Sequence, residues 1–155
     1  MSRDSRGFTL LELMVVIVLI GSVMGMVSLA IGPSPTREAR QQAQDFIRVV
    51  QQLRERAVLD GLEYGVRVQP RGYQALRLES QGWTAVSASQ RLPESLTLGL
   101  EQDGHVVALD DARGPPQLLM LSSDEISPFR LLIKVAGQTI SQVVSDGLAQ
   151  PLIDG

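Results

Sequence analysis

The sequence predicts an α+β protein. A long N-terminal α-helix, its first half suited to a membrane and its second half amphipathic, packs on an antiparallel β-sheet or β-sandwich domain. Three observations predict it. Residues 13–31 contain no charged side chain. Residues 36–59 repeat apolar side chains at steps of three and four. Beyond Gly61 the pattern changes to short apolar runs set between Gly, Pro and Asp turns.

The first run is rich in strongly apolar side chains: 11 of its 19 residues are Leu, Ile or Val and three are Met. Each Leu, Ile or Val contributes about −0.3 to −0.6 kcal/mol to insertion, so together they give roughly −3 to −7 kcal/mol. As a helix the run is about 29 Å long, close to the thickness of the hydrocarbon layer. Gly21 and Gly25 form a small-xxx-small pair that allows close helix packing. Arg3 and Arg6 precede the run and Arg37 and Arg40 follow it, so charge asymmetry orients it only weakly.

Gly32-Pro33-Ser34-Pro35 then interrupts the helix, because proline removes a donor and disfavours helical geometry in the residue before it. Ser34 can cap a restarted helix with Pro35 in its first position. The apolar stripe of the second half is Ala39, Ala43, Phe46/Ile47, Val50, Leu53 and Ala57. The opposite face carries Arg37, Arg40, Gln41, Gln44, Arg48, Gln52, Arg54 and Glu55. That stripe should cover a sheet, and Gly61 suits a left-handed C-terminal cap.

Eight strands are expected, over 63–68, 73–79, 83–88, 96–102, 105–109, 118–122, 129–135 and 138–144. Leu96, Leu98 and Leu100 give clean alternation. Residues 109–116 read as a loop, and the residues from Leu148 onward as a fraying end. The even spacing fits an antiparallel sheet pair or a meander against the second half of the helix.

Composition excludes several classes of function. The net charge is −3, with a single lysine, and a nucleic-acid binder would show a basic patch. There is no cysteine and only one histidine, His105, so Cys-based and two-histidine metal sites are impossible. His105 is expected at the surface. Asp110-Asp111 and Asp124-Glu125 are adjacent acids in loops, of a kind that is usually just solvated and at most binds calcium weakly. No catalytic triad or phosphate-binding glycine motif is present. The expectation is no enzyme, no cofactor and no metal.

The start of the chain is more specific. A polar leader, residues 1–6, ends at Gly7 and is followed by Phe8-Thr9-Leu10-Leu11-Glu12. A charge such as Glu12 at the head of an apolar run is costly and rarely accidental. The pattern resembles the class III signal of type IV prepilins and type II secretion pseudopilins. The resemblance implies cleavage between Gly7 and Phe8 by prepilin peptidase, N-methylation of Phe8, and a role for Glu12 in subunit assembly. In a filament of packed helices Glu12 would meet the free ammonium of a neighbour's Phe8. Losing residues 1–7 removes two of 14 basic and one of 17 acidic side chains, leaving a net −4. An ordinary signal peptidase site at Ser28-Leu29-Ala30 is the competing reading. It would release a soluble exported domain, but leaves the Gly-Phe-Thr-Leu-x-Glu pattern unexplained. A plain single-span anchor is the other alternative.

The body of the chain narrows the family. Residues 118–131 run from an apolar strand into Ser122-Ser123-Asp124-Glu125, then Pro128-Phe129 and another strand. They resemble a signature of the type II secretion H proteins and the related minor pilins, as do Tyr64-Gly65-Val66 and Ser145-Asp146-Gly147-Leu148. On the residues alone, Ser122 and Ser123 can satisfy backbone groups at a strand end, and Phe129 is expected in the core. The ending lacks the acid-rich calcium loop typical of the major pseudopilin, which speaks for a minor subunit. The resemblance implies a leader at 1–7, a transmembrane helix at 8–31, an amphipathic helix at 32–61 and a periplasmic β-rich domain at 62–155, anchored in the inner membrane. Its expected partners are other minor pseudopilins, the major pseudopilin and the prepilin peptidase, with no nucleic acid. The alternative is a minor pilin of a type IV pilus, acting in pilus assembly or DNA uptake.

Overall fold

The computed structural model describes residues 10–29, 34–109 and 113–154, the side chains of 23–29 excepted. By backbone contacts the chain forms two units, residues 1–34 and 35–155. The first contains α1 (Leu10–Leu29). The second begins with α2 (Pro35–Asp60), whose start at Pro35 is the one expected for a proline in the first helical position. The expected break at Gly32-Pro33 lies outside the described residues.

α2 is helical because its apolar residues share one side. Ala39, Ala43, Phe46, Val50, Leu53 and Ala57 are all buried, while Arg37, Arg40, Gln44, Arg48 and Gln52 are exposed. It ends where Gly61 takes a positive φ of 62°.

Among the described residues ten strands follow, in two antiparallel sheets. The first holds β1 (Tyr64–Gln69), β2 (Gly72–Glu79), β3 (Gly82–Ala85), β4 (Gln90–Arg91) and β7 (Leu118–Met120), in the order β3-β2-β1-β7 with β4 also on β2. The second holds β5 (Leu96–Gln102), β6 (His105–Val107), β8 (Phe129–Val135), β9 (Gln138–Ser145) and β10 (Leu152–Ile153), in the order β10-β9-β8-β5-β6. The sheets are stitched where the β1–β2 turn meets the approach to β5. Leu98 N–H donates to the Pro70 carbonyl at 2.8 Å and Leu92 N–H to that of Arg71 at 3.0 Å.

α2 packs against strands of both sheets, and Phe46 joins them. Its ring meets Tyr73 of β2 edge-on at 5.0 Å and Phe129 of β8 at 6.0 Å. Leu96, Leu98 and Leu100 turn inward as their alternation requires, with Leu131, Ile133 and Val143 beside them.

A second, smaller apolar contact lies on the other face of the first sheet. There Pro116 packs so closely over Gly65 that a Cβ on Gly65 would stand 2.5 Å from the proline ring. Arg67, on the same face, donates from Nε to the Gly114 carbonyl at 2.7 Å. Just beyond, the Gln117 side chain pairs with the Val68 backbone, accepting from its N–H at 2.8 Å and donating to its carbonyl at 3.2 Å.

Two expectations need correction. The end of the chain does not fray at Leu148. Leu152 and Ile153 pair with Val144 and Val143 of β9, and Asp154 N–H reaches the Gln142 carbonyl. Those backbone bonds offset the entropy of ordering a terminus. The run expected at 83–88 stops at Ala85, and the two-residue β4 follows it after a bend.

Candidate functional site

α1 carries Glu12 in its first turn, where the helix dipole favours a negative charge. Among its described side chains the helix shows no polar face. Leu10, Leu11, Leu13, Met14, Ile17, Val18 and Leu19 are all more than half exposed. A helix that is apolar all round buries itself in lipid or among other helices. Ser22 removes its own polarity by donating to the Val18 carbonyl at 2.8 Å. A Cβ on Gly21 would meet nothing within 4 Å, so that position is open to close approach. Counting only the described residues, no helix is long and apolar enough to cross a membrane. The uncharged run itself continues to Ile31, beyond them. Gly7 and Phe8 also lie outside the described residues.

The second place where sequence features converge is the turn after β7. It closes with Asp124 N–H on the Leu121 carbonyl at 3.0 Å and Leu121 N–H on the Glu125 carbonyl at 2.8 Å. Asp124 sits at φ 73°, a left-handed conformation that aspartate tolerates better than most residues. Its carboxylate is gripped by Arg54 of α2, which donates from Nε at 2.6 Å and from Nη2 at 3.0 Å. Nη2 also donates to the Leu148 carbonyl at 3.1 Å. One guanidinium thus ties the helix to two loops that are distant in sequence.

The two loops also bond to each other. Ile126 N–H donates to the Gly147 carbonyl at 3.0 Å. A Cβ on Gly147 would stand 2.7 Å from the Ile126 carbonyl oxygen, and its φ of 91° suits glycine alone. Asp146 accepts the N–H groups of Leu148 and Ala149 at 3.0 and 2.9 Å. Those two bonds hold its carboxyl below the usual aspartate value. Leu148 is left 73% exposed between two shallow grooves. One, of about 320 Å³, is floored by Leu119, Leu121, Ile126 and Pro128. The other, of about 460 Å³, is lined by Gln51, Arg54, Glu55 and Asp124.

Sequence reasoning found this turn but assigned its bonds partly to the wrong residues. Ser127, not Ser122 or Ser123, satisfies the strand end, accepting from Leu119 N–H at 3.0 Å. Ser123 instead donates to the Glu125 carboxylate at 3.2 Å. Asp124 is not simply solvated, because Arg54 holds it. Arg54 itself read as a solvent-facing residue, and nothing in the local pattern marks a partner 70 positions away. Phe129 is buried and His105 exposed, as expected. Among the described residues no group of three or more His, Asp or Glu side chains is placed to hold a metal ion. The arrangement offers surfaces for association: an apolar helix with one acid at its head, and a braced turn.

Comparison with known proteins decides the family. Residues 2–31 match the model of the prokaryotic N-terminal methylation motif. The type II secretion system protein H of Pseudomonas aeruginosa is 39% identical over 98% of this chain and 97% of its own. The chain belongs to the type II secretion protein H family. A further member, from Pectobacterium carotovorum, is 32% identical over 90% of this chain and 87% of its own.

The fold of this H-family chain agrees. The crystal structure of the minor pseudopilin EpsH of Vibrio cholerae superimposes with a TM-score of 0.69 at 28% identity, covering 79% of this chain and 99% of that one. The solution structure of Escherichia coli GspH matches with a TM-score of 0.65 at 20% identity, a likeness of fold. The α+β, pilin-like architecture and the role of minor pseudopilin in type II secretion stand on these matches. They favour that machine over the type IV pilus.

Proposed function

We propose that this minor pseudopilin is cut between Gly7 and Phe8 by the prepilin peptidase and methylated on Phe8. It is then held in the inner membrane by residues 8–31, with residues 32–61 as an amphipathic link to a periplasmic domain at 62–155. It takes a place near the tip of the periplasmic pseudopilus, between the other minor pseudopilins and the major one, and helps export folded proteins across the outer membrane. It performs no chemistry of its own.

The observation that carries this is the lone acid of α1. Glu12 lies in the first turn of a helix whose other described side chains are almost all apolar and exposed. A carboxylate in low dielectric strongly prefers a cation, and the ammonium of a neighbour's Phe8 supplies one at matching depth. The pairing makes the charge a register device between packed helices.

The test combines the mature N-terminus with incorporation. Mass spectrometry of the native protein should give a chain beginning with N-methylated Phe8. Glu12→Ala should be cut normally and yet be largely missing from sheared pseudopili. A mature chain beginning at Ile31 would refute the anchor, and full incorporation of Glu12→Ala would refute the pairing.

A further inference from the structure

The first half of α2 is net basic in an acidic chain. Five charged residues lie between Pro35 and Arg48: Arg37, Glu38, Arg40, Asp45 and Arg48. Both acids are engaged. Glu38 accepts from Ser95 Oγ at 3.0 Å, and Asp45 accepts from Arg48 at 2.6 Å. Arg37 and Arg40, three residues apart, are neighbours on the helix surface, and both are exposed. Among the described residues neither has an acid within ion-pair distance. Gln41 and Gln44 extend the same exposed face without adding negative charge.

Their place in the chain limits what they can meet. Arg37 lies six residues beyond Ile31, so even a fully extended link keeps its backbone within about 22 Å of the end of the apolar run. Helical turns in that link would bring it closer. Arginines at the exported end of a span also run against the usual bias, which collects them on the cytoplasmic side. Here the pair outside, Arg37 and Arg40, equals the pair in the leader, Arg3 and Arg6.

We propose that Arg37 and Arg40 form a lipid-docking face that binds the phosphates of anionic phospholipids, phosphatidylglycerol above all, in the outer leaflet of the inner membrane. This rests on the membrane-anchored reading and adds a surface to it. Planar guanidinium groups pair with phosphate in a two-pronged geometry. The face keeps the root of α2 against the bilayer while the subunit waits to be assembled. Assembly must then break these contacts, which favours extraction where anionic lipid is sparse.

The test uses the full chain in nanodiscs of pure phosphatidylcholine or of phosphatidylcholine with a third phosphatidylglycerol. Hydrogen exchange over residues 35–48 should be several-fold slower in the anionic discs, and the difference should vanish in half-molar salt. An arginine at such a surface strengthens association about fivefold, so Arg37→Gln with Arg40→Gln should weaken it roughly 25-fold and abolish the difference. Equal exchange in the two discs, or protection that survives both substitutions, overturns the proposal. A photo-crosslinker at Gln41 that captures another subunit and no lipid in native membranes also overturns it. A chain that fails to enter either disc refutes the membrane anchor itself.

Discussion

Arg54 of α2 holds Asp124 through two parallel hydrogen bonds, of 2.6 and 3.0 Å, and reaches the Leu148 carbonyl with the same guanidinium. The contact joins the helix to the two loops that most resemble the family's body signature. Asp124 is 61% exposed, so water screens the pair, which contributes about 1 kcal/mol or less. Arg54→Ala also removes the bond to the exposed Leu148 carbonyl, which water can replace, and should cost about 1 kcal/mol in urea unfolding. Asp124→Asn should cost less. A double-mutant cycle should return a coupling of about 0.5–1 kcal/mol, and additive losses would show that the contact contributes nothing.

Gly65 is required by its neighbour rather than by its own dihedral angles. Any side chain there strikes Pro116 and the Leu118 carbonyl, at 2.5 and 2.9 Å from the Cβ position. Gly65→Ala should therefore destabilise the chain by about 1–3 kcal/mol. Adding Pro116→Ala should recover part of the loss, although Pro116→Ala alone is mildly destabilising. A double variant less stable than Gly65→Ala alone would contradict this packing.

Alkaline pH should weaken the fold through its tyrosines. Burial pushes the Tyr73 phenol up to about 12, with the Asp45 charge adding to it. The hydrogen bond to Asp60, with burial, raises that of Tyr64. A phenol whose folded value lies above its unfolded value of 10.0 binds its proton more tightly in the native state. Its contribution is therefore fully present below pH 10 and is lost as pH climbs through the folded value. Ultraviolet titration should show the two tyrosines ionising late, and Tyr73→Phe should remove the transition near 12. A phenol titrating near 10 in the folded chain would refute this.

What the sequence made legible divides by range. The stripe from Ala39 to Ala57 is a local property of the helical repeat, and each of its expected residues is buried except Ile47, which is partly so. The longer strands are equally local, since Leu96, Leu98 and Leu100 announce their own inward face. Glu12 stood out because one charge in an apolar run is conspicuous wherever it lies. β4 and β10 were missed because two residues carry no periodicity, and their pairing is decided by β2 and β9. Arg54 and Ser127 were misread for a related reason. Their partners are set by tertiary packing, so the local sequence assigned one to solvent and passed over the other. The family signal lay mostly in residues 2–31, where the methylation motif is matched and little tertiary context is needed to recognise it.

The pairing of Gln117 with Val68 has a consequence for a protein whose work is to be stacked. β7 reaches along β1 only as far as Val66, which would leave the backbone groups of Val68 open to any passing strand. The Gln117 amide fills that gap like a borrowed peptide group, and Gln102 in turn donates to the Gln117 carbonyl. Beside chains of similar shape, an open ladder would invite strand addition. By closing this stretch from within, the Gln117 amide removes one place where a neighbour's strand could add.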